Sequence, residues 1–131
     1  MVSIPKVVLL AAPKDAPTIS GRVIAAGEMD ILARMMSVGQ PHRAVPLTGA
    51  LCLAVGCRIP GSIANQLVGT TDPAAPVRIA HPSGVMLVAA EVRTGVRGLE
   101  VPYATVFRTA RALFRGEVLY PDRRLVCAHA A

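Results

Sequence analysis

Apolar positions fall in blocks along this chain, and each block predicts an element. Val7-Val8-Leu9-Leu10-Ala11-Ala12 is an unbroken aliphatic run that reads as a buried strand, stopped by Pro13-Lys14-Asp15. A loop follows to Gly21. Over Ala25 to Val38, residues Ile31, Leu32, Met35 and Val38 fall on one stripe, with Asp30 and Arg34 four apart on another face. That spacing predicts a helix, ended by Gly39-Gln40-Pro41. Thr48 then opens Gly49 to Cys57, a stretch apolar on every side and stopped by Pro60-Gly61. A helix of this kind must be enclosed, and it is too short to be enclosed by lipid.

Ser62 to Val68 predicts a further helical turn, and Thr70 to Pro76 a proline-bearing loop. Strand signals come after it: Val77 to Ala80, Val85 to Val92, Val101 to Phe107 and Gly116 to Tyr120. Pro82-Ser83-Gly84 separates the first two with hairpin chemistry. No internal repeat is present. The elements sum to an α+β chain whose strands could wrap the apolar helix.

Composition narrows this picture. The 131 residues fit one domain and are 53% hydrophobic but only 3% aromatic, so the core must be aliphatic. A mean hydropathy of +0.50 is high for a small domain and implies another surface to cover, on a partner domain or a second chain. The net charge of +6 is carried mostly by scattered arginines. Without a set of stacking aromatics, this points away from nucleic acid. Three cysteines make no disulfide framework, and Cys52 and Cys57, five apart on a helix, suit neither a bridge nor a metal pair. Small reduced thiols in the cytoplasm are the expectation. No targeting or membrane segment is evident.

Several stretches, in order, resemble the family of 2-methylaconitate cis–trans isomerases (PrpF) and 4-oxalomesaconate tautomerases. They are Ala33-Arg34-Met35-Met36-Ser37-Val38-Gly39-Gln40, His42-Arg43-Ala44, Thr48-Gly49-Ala50, Arg58-Ile59-Pro60-Gly61, His81-Pro82-Ser83-Gly84-Val85-Met86, Arg108-Thr109-Ala110-Arg111 and Gly116-Glu117-Val118. Val45 and Leu87 depart from the family pattern, which has an aromatic and an acid there. The resemblance covers residues 1–121 and leaves 122–131 as a tail. It implies half of a diaminopimelate epimerase-like fold, a curved, mostly antiparallel sheet or barrel around a central apolar helix. It also implies a partial second domain. The family's proton-transfer Lys and Cys belong to a first domain that nothing here matches, so a truncated or separately encoded piece, inactive alone, is expected.

What the resemblance implies chemically is an allylic proton shift or cis–trans isomerisation of an unsaturated tricarboxylate, with no metal or organic cofactor. Such a site needs fixed positive potential where the carboxylates and enolate sit. The N–H groups around Thr48, Gly49 and Ala50 at a helix start could supply it, with Gly49 permitting close approach and the Thr48 hydroxyl donating. Ser37, His42, Arg43, His81 and Ser83 complete the expected substrate-binding set. Each has a plainer reading beside it. Thr48-Gly49 could be an ordinary N-cap, His42-Arg43 a surface pair, Ser37 a helix-end hydroxyl, and His81 and Ser83 parts of a turn. Lys6 and Lys14 lie in no recognisable site. Expected partners are a di- or tricarboxylate and either a chain carrying the first domain or a second copy, with neither nucleic acid nor membrane. The alternative is a non-catalytic binding module or a remnant that needs a partner chain.

Overall fold

Strand β1, Val7–Ala11, pairs antiparallel with β4, Ile31–Ser37, in the register Val7 to Met36 and Ala11 to Leu32. The structure, a computed structural model, describes residues 6–37, 39–69, 72–107, 110–117 and 119. Between β1 and β4 lie a small two-stranded ribbon, β2 (Ala16–Pro17) with β3 (Val23–Ile24), and a 3-10 turn at Ala26–Glu28. The helix expected over Ala25 to Val38 is not there. Its residues form that turn and β4, because β4 is buried on both faces and so lacks the alternation that distinguishes a strand from a helix. Ile31, Ala33 and Met35 face the main core, while Leu32 joins a second, smaller cluster with Ala16, Ile24, Met29 and Ala80.

The chain turns at Gly39, which takes a positive φ of 75° that only glycine adopts cheaply, and β5, Gln40–Pro41, returns along β4. Helix α1, Leu47–Arg58, and the short α2, Ile63–Leu67, then cross over to β6, Val77–His81. Strand β6 lies parallel to β4 for two residue pairs, Ile31 with Ile79 and Leu32 with Ala80. The antiparallel hairpins β6–β7 (β7, Gly84–Gly95) and β7–β8 (β8, Gly98–Val106) finish the sheet, in the order β1-β4-β6-β7-β8 with β5 on β4. The Pro82-Ser83 turn forms as the sequence predicts, with His81 opposite Gly84. A second turn, between Gly95 and Gly98, joins strands that the sequence had left separate. No strand forms at 116, 117 or 119, while Val118, Tyr120 and the tail 122–131 lie outside the described residues.

Asp30 and Arg78 fasten the parallel pairing at its start. Asp30 accepts from the Arg78 backbone N–H at 2.7 Å and from the guanidinium at 2.7 Å, and its own N–H donates to the Arg78 carbonyl at 2.8 Å. Arg78 also donates to the Gly27 and Met29 carbonyls. The i,i+4 partner expected for Asp30, Arg34, instead lies on β4 and donates to carbonyls of Ala33 and Pro17. Burial raises the Asp30 carboxyl, but the hydrogen bonds and charge of Arg78 outweigh it and leave the pKa below the usual value.

Helix α1 packs Ala50, Leu53, Ala54 and Cys57 against the sheet. Desolvation pushes the Cys57 thiol up to about 11, consistent with a small core hydrophobe. The expected full enclosure of the helix is not reached. Leu47, Thr48 and Cys52 are exposed and Leu51 and Val55 only half-buried, so the sheet covers one side of it. Strand β1 is likewise buried on one face only, with Val7 and Leu9 exposed.

Asp30→Asn should cost about 1.5 to 3 kcal/mol of stability by loss of charged hydrogen bonds. The folded pKa is lowered, so the contribution is fully present above the unfolded value of 3.8 and is lost as pH falls through the folded one. Chemical denaturation as a function of pH should therefore show a decline below about pH 4 that flattens in Asp30→Asn. Ser62 caps α2, accepting from Asn65 N–H at 3.1 Å and donating to the Gly56 carbonyl at 2.6 Å. Ser62→Ala should lower stability by about 1 kcal/mol, a melting shift of roughly 3 to 5 °C.

Candidate functional site

The first turn of α1 carries the clearest unsatisfied polarity near a concave surface. Pro46, in an extended conformation with ψ of 148°, occupies the N-cap and offers no side-chain cap. Its carbonyl accepts from Ala50 N–H at 2.9 Å. This leaves the N–H groups of Leu47, Thr48 and Gly49 without a hydrogen bond among the described residues, at the positive end of the helix dipole. Ala50, expected to contribute a free N–H, does not. Its N–H is engaged and it is fully buried. Thr48 is not the N-cap either. It sits in the first turn, exposed, and its hydroxyl makes no hydrogen bond among the described residues.

A half-open pocket of about 260 Å³ lies against this turn, lined by Lys6, Val8, Met35, Thr48, Gly49 and Cys52. Gly49 is needed there for closeness, since a Cβ on it would stand 2.6 Å from Met35 Cε. The Met35 side chain therefore lies directly on the helix backbone and floors the pocket. Cys52 follows Thr48 by one turn of α1, and Lys6 reaches the pocket from the start of β1. Sequence reasoning misses four of these. On sequence alone Lys6 belongs to no site, Val8 reads as part of a buried strand, Met35 as part of a helix stripe and Cys52 as a small hydrophobe. No motif marks them, because β1–β4 pairing and the packing of α1 on β4 bring them together.

The other expected residues form a neighbouring cluster. His42 and Arg43 lie in the exposed loop before α1, where His42 N–H donates to the Met35 carbonyl at 2.7 Å. The Ser83 hydroxyl donates to the Arg43 carbonyl at 2.6 Å, which ties that loop to the β6–β7 turn. His81 is buried, and its Nδ1 accepts from Ser83 N–H at 3.1 Å. Ser37 is half-buried at the end of β4, opposite Gln40. Thus Thr48 and Gly49 line the pocket, whereas His42, Arg43, His81 and Ser83 shape the ground beside it. Arg108 lies outside the described residues. Among the described residues no group of three or more His, Cys, Asp or Glu is placed to hold a metal, and no helix is long and apolar enough to cross a membrane.

The PrpF protein family model matches residues 1–121. The 2-methyl-aconitate isomerase of Shewanella oneidensis is 35% identical over 117 residues, covering 89% of this chain and 29% of that protein. The 3-methylitaconate isomerase of Eubacterium barkeri is 32% identical over 123 residues, covering 93% and 31%. The crystal structure of methylitaconate-delta-isomerase superposes with a TM-score of 0.68 at 28% identity, over 81% of this chain and 28% of that one. The chain thus spans about three-tenths of the length of the relatives it matches. Its α+β architecture, a curled half-barrel sheet with few helices, is that of the isomerase structure. With the matching model, the ordered motifs and the shared fold in agreement, this chain belongs to the PrpF family.

Proposed function

We propose that this chain forms the carboxylate-binding wall of a cofactor-independent isomerase acting on an unsaturated di- or tricarboxylate. The observation that carries this reading is the uncapped first turn of α1, which opens its N–H groups beside the pocket. In the reaction a base takes a proton from the carbon next to the double bond. The electron pair delocalises into the conjugated carboxylate as a dienolate, and a proton returns at the far end of the allyl unit or at the original carbon after rotation. The α1 dipole, its free N–H groups, the Thr48 hydroxyl and the Lys6 ammonium would stabilise the carboxylate and the charge that grows on it. Val8 and Met35 would pack the hydrocarbon part. Acid and base groups come from protein outside this wall, on a further chain or domain. The relatives' names support the substrate class, and the free thiols of Cys52 and Cys57, among the described residues, favour a cytoplasmic setting.

A covering partner is part of this reading. Val7 and Leu9 on β1, and Val85, Leu87, Val101, Tyr103 and Phe107 around β7 and β8, are large apolar side chains left exposed. The uncovered side of α1 adds to them. We expect light scattering at ~50 µM to give a mass above the monomer, as exposed apolar surface of this extent favours association. A clean monomer that binds no apolar dye would count against a missing cover.

Incubated alone with 2-methylaconitate or 4-oxalomesaconate, the chain should give no protein-dependent ultraviolet change. Binding is tested separately with tricarballylate, a saturated tricarboxylate that cannot react. Titration followed by amide NMR should move the Leu47, Thr48 and Gly49 signals. Thr48→Val should weaken binding by roughly 10-fold or more, from loss of a hydrogen bond to a charged group. It should leave the melting temperature unchanged, because the Thr48 hydroxyl caps nothing. Gly49→Ala should also weaken binding, by pushing Met35 into the pocket. Saturating shifts elsewhere with none at 47–49 would remove the site from α1.

A further inference from the structure

The cluster beside the pocket contains the same small device twice. His42 Nδ1 accepts the backbone N–H of Ala44 at 3.2 Å, and His81 Nδ1 accepts that of Ser83 at 3.1 Å. Each imidazole closes a two-residue step onto its own backbone, as an Asx side chain does. One bond joins the two turns, the Ser83 hydroxyl to the Arg43 carbonyl. The second turn is braced from the far side by Ile19 N–H, which donates to the Pro82 carbonyl at 2.7 Å.

This matters for α1 because of where the joined turns lead. His81 follows Ile79 and Ala80, which pair with Ile31 and Leu32, and the loop that Ser83 holds is bonded through His42 N–H to the carbonyl of Met35, the residue under Gly49. His81 continues the alternation of Val77 and Ile79, and it is 7% exposed. From His81 the linkage runs through the Ser83 backbone, the Ser83 hydroxyl and the Arg43 carbonyl to the loop that ends at Pro46 and sets where α1 begins.

We propose that His81 is a positioning residue and a proton switch. Its unprotonated Nδ1 holds the Pro82-Ser83 turn, the turn holds the loop before α1, and protonation of the ring releases both. A protonated ring has two N–H donors and no acceptor, so it cannot keep the Ser83 N–H bond. The charged groups concerned are Arg34 on β4, fixed by the Ala33 and Pro17 carbonyls, and His42 and Arg43 on the tethered loop. Burial, then the Arg34 charge, hold the His81 pKa below its ordinary 6.5. The folded pKa being depressed, the stabilisation is complete above 6.5 and is lost as pH falls through the lower folded value. At neutral pH the turn is locked, and acidification unlocks it. The consequence for ligand binding rests on the carboxylate reading of α1, while the switch itself does not.

Amide and imidazole NMR on the whole chain, from pH 8 to pH 5, tests the switch without any ligand. At pH 8 the His81 ring should show an unprotonated Nδ1 and a protonated Nε2. As pH falls, the Ser83 amide and the amides of Arg43 to Val45 and Leu47 to Gly49 should move with one midpoint, below 6.5. Two variants separate the links. His81→Asn offers an oxygen in place of Nδ1, so it should keep the turn and abolish that transition at both places. Ser83→Ala removes the hydroxyl only, so the amide of position 83 should still titrate while the loop amides no longer follow. His42 is present in every variant, so the His81 component is what His81→Asn removes. A loop transition unchanged in either variant, or an Nδ1 that carries the proton at pH 8, overturns the proposal. Because tricarballylate is absent, that result would leave the carboxylate site standing, and failure of the carboxylate site would leave the switch standing.

Discussion

The parallel pairing of β4 with β6 is only two residues long, yet both hairpins beyond it take their position from it. Closing a crossover of some forty residues through so short a ladder requires more than ladder hydrogen bonds, since the loop entropy must be offset. Asp30 and Arg78 meet that requirement. Their reciprocal backbone and side-chain bonds place the carboxylate across the first rung, and the Asp30 carbonyl also accepts from Gly69 N–H at 2.7 Å near the end of the crossover. One residue thereby fixes both the returning strand and the path that leads to it. An unpaired Asp30 would be a buried charge without compensation, so alternative registers are disfavoured as well as the native one being favoured.

With β6 fixed, the rest of the site geometry follows. Strand β7 is carried over α1, where Val88 and Ala90 join the core, and the β6–β7 turn is tied through Ser83 to the loop before α1. The helix is held against the sheet by Ala50, Leu53, Ala54 and Cys57, and small residues let it lie close. Met35 reaches across the gap left by Gly49, so floor and wall of the pocket come from strand and helix together. The polar side of the pocket combines the free backbone N–H groups of α1 with Thr48 and Lys6. A helix start buried on its inner side and uncapped on its outer side offers N–H groups at no cost in reorganisation, which is what a charge-developing reaction needs.

The sequence made α1 and the Pro82-Ser83 hairpin legible because each has local signals: a continuous apolar block with a proline-glycine stop, and turn residues between strands. It made β4 misleading. Ile31-Leu32-Ala33-Arg34-Met35-Met36 is rich in helix formers, and burial on both faces removes the alternation that would have revealed a strand. Tertiary coverage, by α1 on one side and the small ribbon on the other, decides the outcome. Thr48 and Gly49 were found through family likeness, whereas their exact hydrogen-bond status was not. That the Ala50 N–H is engaged and Thr48 is not the cap depends on Pro46 holding the N-cap, two residues before the Thr48 cap that the sequence suggests. Lys6 and Cys52 were invisible in the same sense, since only the folded pairing relates position 6 to position 52.

The high positive charge has a structural use that composition alone does not disclose. Arg78 links Asp30 to the Gly27 and Met29 carbonyls, Arg58 joins the end of α1 to the carbonyls of Asp72 and Ala75, and Arg34 holds those of Ala33 and Pro17. Each guanidinium here gathers backbone carbonyls, a task its planar array of donors suits better than an ammonium. Arg22 and Arg93 face Glu28 and Glu91 instead. Among the described residues these arginines are spread over separate elements, each taken up by nearby oxygens of its own neighbourhood. Lys6 stands beside a concavity, at the pocket against the first turn of α1. On the proposed reading, an ammonium and a helix start beside a pocket of about 260 Å³ suit a small carboxylate, which ties part of the charge of the chain to the same place as its fold.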